Sequence, residues 1–383
     1  MSLFKHSLLV LLLFAFACDT NQKVKTLTPT NMEQVSGKIT VPKQPKNVIL
    51  MIGDGMGLSQ ITAGMYANGN TLHLEKFPIV GLQKTHAFDD LITDSAASAT
   101  AIACGIKTYN GAIGVSPDTI PVRTILEEAE EKGLKTGLIA TSTIVHATPA
   151  SFIAHQSSRK MYDAIAADFL KTDIDLFIGG GLKHFNGQRK DEKSLIPLFQ
   201  SKGYGVSDHT QLELSDFDFS NHDKIAYFTS NDQPLTVESG RDYLTLASTK
   251  ATKFLNRKNE RGFFLMIEGS QIDWGGHANE TNYIINEMKD FNETIGKILK
   301  FAQKDKETLI IITADHETGG FALNPKSTME EIKGAFTSTY HTATMVPVFA
   351  YGPGAEHFSG IYDNTAIYEK MRVALGFGGK IMK

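Results

Sequence analysis

Six short apolar runs constrain this chain more than anything else in it. They are "NVILMIGDG" (47–55), "KTGLIATS" (135–142), "IDLFIGGG" (174–181), "FFLMIEGS" (263–270), "TLIIITADHETGG" (308–320) and "VPVFAYGPG" (346–354). Each reads as a buried strand running into a polar or glycine-rich loop. Helical patterns separate them. Residues 121–132 carry an N-terminal proline and a charged face, and residues 281–302 set Ile284, Ile285, Met288, Phe291, Ile295, Ile298 and Leu299 on one stripe. Strands alternating with helices predict an α/β fold, with a central, mostly parallel sheet covered by helices on both faces. The polar stretches 183–235 and 324–340 are expected to be small peripheral insertions.

Parallel sheets bind ligands beyond the C-terminal ends of their strands. Asp54, Glu268 and the pair Asp315–His316 stand immediately at such ends, and His146 follows its strand at some distance. The stretch "IEGSQIDWGGHANE" adds Asp273 and His277, four residues apart, and His341 lies just before the last apolar run. Carboxylates with imidazoles suit zinc. The glycines flanking Asp54 let the backbone bend closely around an ion or ligand. Ser95 opens "SAASATAIAC", a run of small side chains that packs as a helix and offers its N-terminus to an anion. His73, His86, His184, His209, His222 and His357 sit in loop-like contexts and read as solvated.

The 383 residues, 42% hydrophobic and 21% charged, are globular in composition, and the net charge of −4 argues against a nucleic-acid binder. Residues 1–18 read as a secretory signal: Lys5, an apolar run from Leu8 to Ala17, then Cys18 behind small residues as in a bacterial lipoprotein cleavage box. A lipid on Cys18 would tether the exported protein at the periplasmic or cell-surface side of a membrane. Residues 19–42 read as a flexible tether and 43–383 as a single catalytic domain. Cys104 is then the one remaining thiol, expected to be a small buried residue without a disulfide.

Taken together, "NVILMIGDGMGLSQI", "TDSAASATAIACGIKTYNGAIGV", "HATPASFIAHQSSRK", "IEGSQIDWGGHANE", "TADHETGG" and "YHTATMVPVFAYGPG" resemble the alkaline phosphatases. The stretches stand in that family's order from about residue 46 to the C-terminus. The resemblance implies one zinc held by Asp273, His277 and His341, and a second held by Asp54, Asp315 and His316. A third ion, usually magnesium, would use Asp54, Thr148 and Glu268, an all-oxygen set that suits a hard cation. It further implies that Ser95 is the nucleophile of a double displacement through a phosphoserine. Arg159 would bind the phosphate oxygens with its planar fork. The substrates would be phosphate monoesters of broad kind.

Two positions depart from familiar relatives. Enteric bacterial enzymes carry Asp where this chain has His146 and Lys where it has Trp274; animal enzymes carry His at both. Trp274 cannot give phosphate a charge, so weaker retention of product is expected, and the metal identity at the third site stays open. A homodimer is usual in the family, while a compact chain with reduced loops also suits a monomer. The alternatives are a phosphodiesterase of the same superfamily, or a surface lipoprotein that binds phosphate or metal without catalysis. Thr148, Glu268 and Arg159 together favour the monoesterase.

Overall fold

A computed structural model describes residues 44–378 apart from 192 and 258. The expected signal segment, Cys18 and the tether 19–42 lie outside the described residues. The strands along the chain are β1 Asn47–Gly53, β2 Ile79–Lys84, β3 Lys135–Thr143, β4 Leu176–Gly180, β5 Tyr204–Asp208, β6 Lys224–Phe228, β7 Phe263–Gly269 and β8 Thr308–Thr313. The two-residue strands β9 Glu317–Thr318, β10 Ala322–Leu323, β11 Gly334–Ala335 and β12 His341–Thr342 follow, then β13 Val346–Tyr351 and β14 Gly360–Asp363. Ten of these form one sheet in the order β14-β2-β13-β8-β1-β7-β3-β4-β6-β5. Every pairing in it is parallel except those of β13, which runs antiparallel to β2 and β8.

Strand β1 shows why its sequence is apolar throughout. Successive side chains point to opposite faces, and both faces are covered. Val48, Leu50 and Ile52 enter one core, with residues from the helices Ser95–Cys104, Ile125–Glu131, Tyr162–Asp168 and Thr365–Ala374. Ile49 and Met51 enter the other, with residues from the helices Leu58–Ala67, Tyr243–Asn256 and Thr281–Asp305. Fully burying such a side chain contributes about 1.5–3 kcal/mol. The stripe from Ile284 to Leu299 is buried as its spacing requires, and that helix runs on to Asp305, where Lys306 ends it with φ 65°. The helix expected over 121–132 begins only at Ile125, because Thr124 caps it in a reciprocal pair with Glu127.

One expectation needs correction. Residues 183–235 are not a peripheral insertion: they supply β5 and β6, which complete one edge of the main sheet. Their apolar residues are spread thinly, but Phe185, Phe199, Tyr204 and Phe228 gather around Phe177 in an aromatic cluster. The sheet is mostly parallel as expected, and the final apolar run is its one reversed strand. The N-terminal end of β13 therefore lies at the same sheet edge as the C-terminal ends of its neighbours. That reversal is why His341, which precedes its strand, can join residues that follow theirs. Cys104 is buried and unbridged, and no helix among the described residues is long and apolar enough to cross a membrane.

Candidate active site and metal centre

Asp54 follows β1 in a turn that only glycine permits. Gly55 has φ 72°, and a Cβ there would stand 2.7 Å from Asp273 Cα and 2.7 Å from Thr318 Oγ1. The turn therefore presses Asp54 against the β7 and β8 exits, and Gly55 N–H donates to Asp315 Oδ1 at 3.2 Å. Glu268 is the penultimate residue of β7. The helix Gln271–His277 then carries Asp273 and His277 one turn apart. Asp315 and His316 follow β8, His146 and Thr148 follow β3, and His341 arrives ahead of β13.

Three groups of ligand atoms result, each within a span of 4.8 Å: Asp273–His277–His341, Asp54–Asp315–His316, and Asp54–His146–Glu268. The third sets the His146 ring among the oxygen donors Asp54 and Glu268, and Thr148 is buried on the short helix Ala147–Ala150 that follows His146. In the first group both imidazoles are oriented by carbonyls. His277 Nδ1 donates to Thr339 O at 2.7 Å and His341 Nδ1 to Thr93 O at 2.7 Å. That leaves each Nε2 to face Asp273 Oδ1, at 3.3 and 3.5 Å, where it would offer its lone pair to a cation once unprotonated. Thr318 Oγ1 donates to the same Asp273 oxygen.

Buried polar atoms ordinarily find partners. Here Asp54 Oδ1 and Oδ2, Glu268 Oε1, Asp315 Oδ2, His146 Nδ1 and Thr148 Oγ1 are buried with none. The carboxylates also crowd one another. Burial, then Asp315, Asp273 and Glu268, push the Asp54 carboxyl well above its usual range. Burial foremost takes Glu268 to about 8. Burial would raise Asp273 too, but hydrogen bonds with His277 and His341 hold it well below the carboxylate range. Burial and then Arg159 press His146 down to about 3, so its ring is neutral and can offer a lone pair.

Ser95 stands at the centre of this ground. Asp94 caps its helix by accepting from Ala97 N–H at 2.9 Å, and the helix ends at Gly105 with φ 72°. Ser98 Oγ donates to Asp315 O at 2.7 Å, which ties the helix to the β8 exit. Ser95 Oγ lies 3.3 Å from His316 Nε2, and Ser95 is only 2% exposed, forming the floor of the site. Arg159 reaches in from its loop: NH1 donates to Asp94 Oδ2 at 3.0 Å and NH2 to His146 Nε2 at 3.4 Å. Lys160 beside it is exposed. Trp274 is partly buried and stands edge-on to His146, with ring centroids 6.2 Å apart at 78°. Every candidate residue is thus gathered at one sheet edge. Sequence reasoning missed Thr318, the carbonyls of Thr93 and Thr339, and the grip of Asp94 on Arg159; no residue pattern announces them.

A family model for alkaline phosphatase matches residues 45–335, a range that takes in every candidate residue except His341. Alkaline phosphatase 4 of Bacillus subtilis is 37% identical over 420 aligned residues, covering 87% of this chain and 89% of that protein. The alkaline phosphatase of the Antarctic bacterium TAB5 is 44% identical with a TM-score of 0.83, covering 88% of this chain and 99% of that one. A histidine-to-glutamate variant of the TAB5 enzyme was solved with Mg bound in its M3 site. With more than a third of residues identical along most of both chains, this chain belongs to the alkaline phosphatase family and is a metal-dependent phosphomonoester hydrolase.

Proposed function

We propose that the chain hydrolyses phosphate monoesters by double displacement through a phosphoserine at Ser95, with two zinc ions and one magnesium ion bound. The observation that carries this reading is the set of partnerless buried donor atoms beside Ser95. Their chemistry fits the ions. Asp273, His277 and His341 offer one oxygen and two oriented nitrogens, and Asp54, Asp315 and His316 two oxygens and a nitrogen, both suited to zinc. Asp54, Glu268 and Thr148 offer oxygens to a hard cation, and the nearby nitrogen of His146 widens what the third site can accept. When bound, the ions supply positive charge that favours the serine alkoxide and the departing ester oxygen.

The chain's own groups do the rest. The first turn of the Ser95–Cys104 helix and the Arg159 fork receive the non-bridging phosphate oxygens. Asp94 holds Arg159 in place, so little reorganisation remains when substrate arrives. Ser95 Oγ loses its proton to solvent and forms a bond to phosphorus as the P–O bond to the alcohol breaks. The alcohol takes up a proton. A water oxygen then bonds to phosphorus, the Ser95–phosphorus bond breaks, the serine regains a proton, and inorganic phosphate leaves. Trp274 brings no charge to the phosphate, which supports easy product release.

Export, a lipid on Cys18 and residence at the periplasmic or cell-surface side of a membrane complete the proposal, and the oligomeric state stays open between monomer and homodimer. The "FAFAC" box and the polar segment after it support the anchor. One experiment tests the central claim. Purified protein is analysed for metals and assayed on a chromogenic monoester and the matching diester, with and without chelator, beside Ser95→Ala. Zinc and magnesium near 2:1 per chain, monoester hydrolysis abolished by chelator, and a drop of at least ~10³-fold in Ser95→Ala with metals retained are expected. Faster diester hydrolysis, or binding of phosphate without turnover, would overturn it.

A further inference from the structure

The helices Tyr243–Asn256 and Thr281–Asp305 run back from the active-site edge, and their last turns lead into the starts of β7 and β8 at the opposite edge of the sheet. A groove of about 840 Å³ lies between those turns, with Lys253 and Arg257 on one side and Lys297, Lys300, Lys304 and Asp305 on the other. The one carboxylate is engaged by the chain itself: Asp305 Oδ2 accepts from Asn47 Nδ2 at 3.2 Å and from Thr308 Oγ1 at 2.6 Å. Arg257 donates to the carbonyls of Ser220 and His222, which leave its charge unmatched. The four lysines are exposed, and the lysine ion pairs of the described residues fall elsewhere, at Lys107, Lys171, Lys183, Lys224 and Lys333. In a chain of net charge −4 this is a concentrated positive field. Both helices end here, so the backbone offers carbonyls rather than N–H groups, and a single small phosphate finds no cradle.

The chain enters the domain at this same corner. Lys46 N–H and Asn47 N–H both donate to Glu307 O, at 2.8 and 3.1 Å, just past the end of the second helix. We propose that this basic face lies on an anionic phospholipid membrane and that the active site points away from it. The proposal rests on the lipid on Cys18 proposed above. From that anchor residues 19–42 lead toward Lys46, and a coil of that length spans about 25–30 Å on average. The active-site edge is farther off. Lys297 to Lys304 stand about 25–35 Å along their helix from its start at Thr281, which follows closely on His277. A lipid sets the distance from the bilayer. The lysines, each worth about fivefold in association with an anionic surface, set which face turns toward it.

The test adds the mature protein, loaded with zinc and magnesium, to vesicles of phosphatidylcholine alone and of phosphatidylcholine mixed with phosphatidylglycerol, at low salt. A membrane-impermeant amine reagent then labels lysines, and mass spectrometry reads the rate at each. On the anionic vesicles Lys253, Lys297, Lys300 and Lys304 should react at least about fivefold more slowly than on the neutral ones, with Lys160, beside Arg159, equally fast on both. In the triple variant Lys297→Gln, Lys300→Gln, Lys304→Gln, the rate at Lys253 should return to within about twofold of its neutral-vesicle value, with monoester turnover unchanged. Equal labelling of the groove on both vesicles, in protein that floats with both, would overturn the proposal, as would slowing of Lys160 to match. Stronger protection by soluble polyphosphate than by phosphatidylglycerol would overturn it too, because the groove would then take a free polyanion. Protein that does not float with phosphatidylcholine lacks the lipid anchor, a failure of that reading alone. The membrane face then stands if the protein still floats with the anionic vesicles and protects the same lysines, and falls if it does not.

Discussion

At Gly55 a single hydrogen atom in place of a methyl decides whether the site can close. The glycines around Asp54 are legible in the sequence as a tight turn, and the contact with Asp273 and Thr318 shows what the turn is for. Thr318 is the opposite case. Nothing in "ADHETGG" separates its hydroxyl from any other loop threonine, because its partner Asp273 lies 45 residues away in sequence. Its hydrogen bond fixes the carboxylate oxygen that both imidazole nitrogens face. Thr318→Val should weaken zinc binding by about 10–100-fold, while Thr318→Ser keeps it. Competition with a coloured chelator measures this, and equal affinity in all three proteins would remove Thr318 from the account.

Element by element, legibility followed burial. Strands β1, β3, β4, β7 and β8 are buried on both faces, and their apolar stretches stand out as runs. Strands β2 and β14 lie toward one edge with exposed positions, and β5 and β6 sit at the other edge amid polar loops. Their short, mixed sequences carry too little periodicity to read. The helix Ile125–Glu131 and the loop leading to Arg159 are joined by His155, whose Nδ1 donates to Gly114 O at 2.7 Å while Nε2 meets Glu127 Oε1 at 2.9 Å. Burial opposes the charge on both partners, but the pairing raises His155 above 6.5 and lowers Glu127 below 4.5. The histidine term is complete below its unfolded value of 6.5 and fades as pH rises through the folded value. The glutamate term is present above 4.5 and fades as pH falls. His155→Gln should therefore cost about 1 kcal/mol near pH 6 and almost nothing near pH 10. Urea titrations at the two pH values would show it, and a penalty that persists at pH 10 would contradict the sign.

Taken whole, the molecule folds a charge problem into its sheet edge. Without ions, Asp54 and Glu268 hold protons more tightly folded than unfolded, as does His277 at about 8. Between pH 7 and 9 the folded chain then binds more protons than the unfolded one, so stability falls as pH rises. Bound cations reverse the trend, since they need those groups deprotonated. Scanning calorimetry should find the chelated protein melting several degrees lower at pH 9 than at pH 7, with the gap to the metal-loaded protein widening. Parallel curves would show that the carboxylates are not the seat of the metals. The reversed strand β13 has a consequence of its own. Because His341 enters from the last sixth of the chain, and β1 must wait for β8 to arrive beside it, a ribosome has nearly finished before the Asp273–His277–His341 group exists. On the mechanism proposed above, a nascent chain is thus inert through most of its synthesis, and cellular phosphate esters are safe from it until translation is almost done.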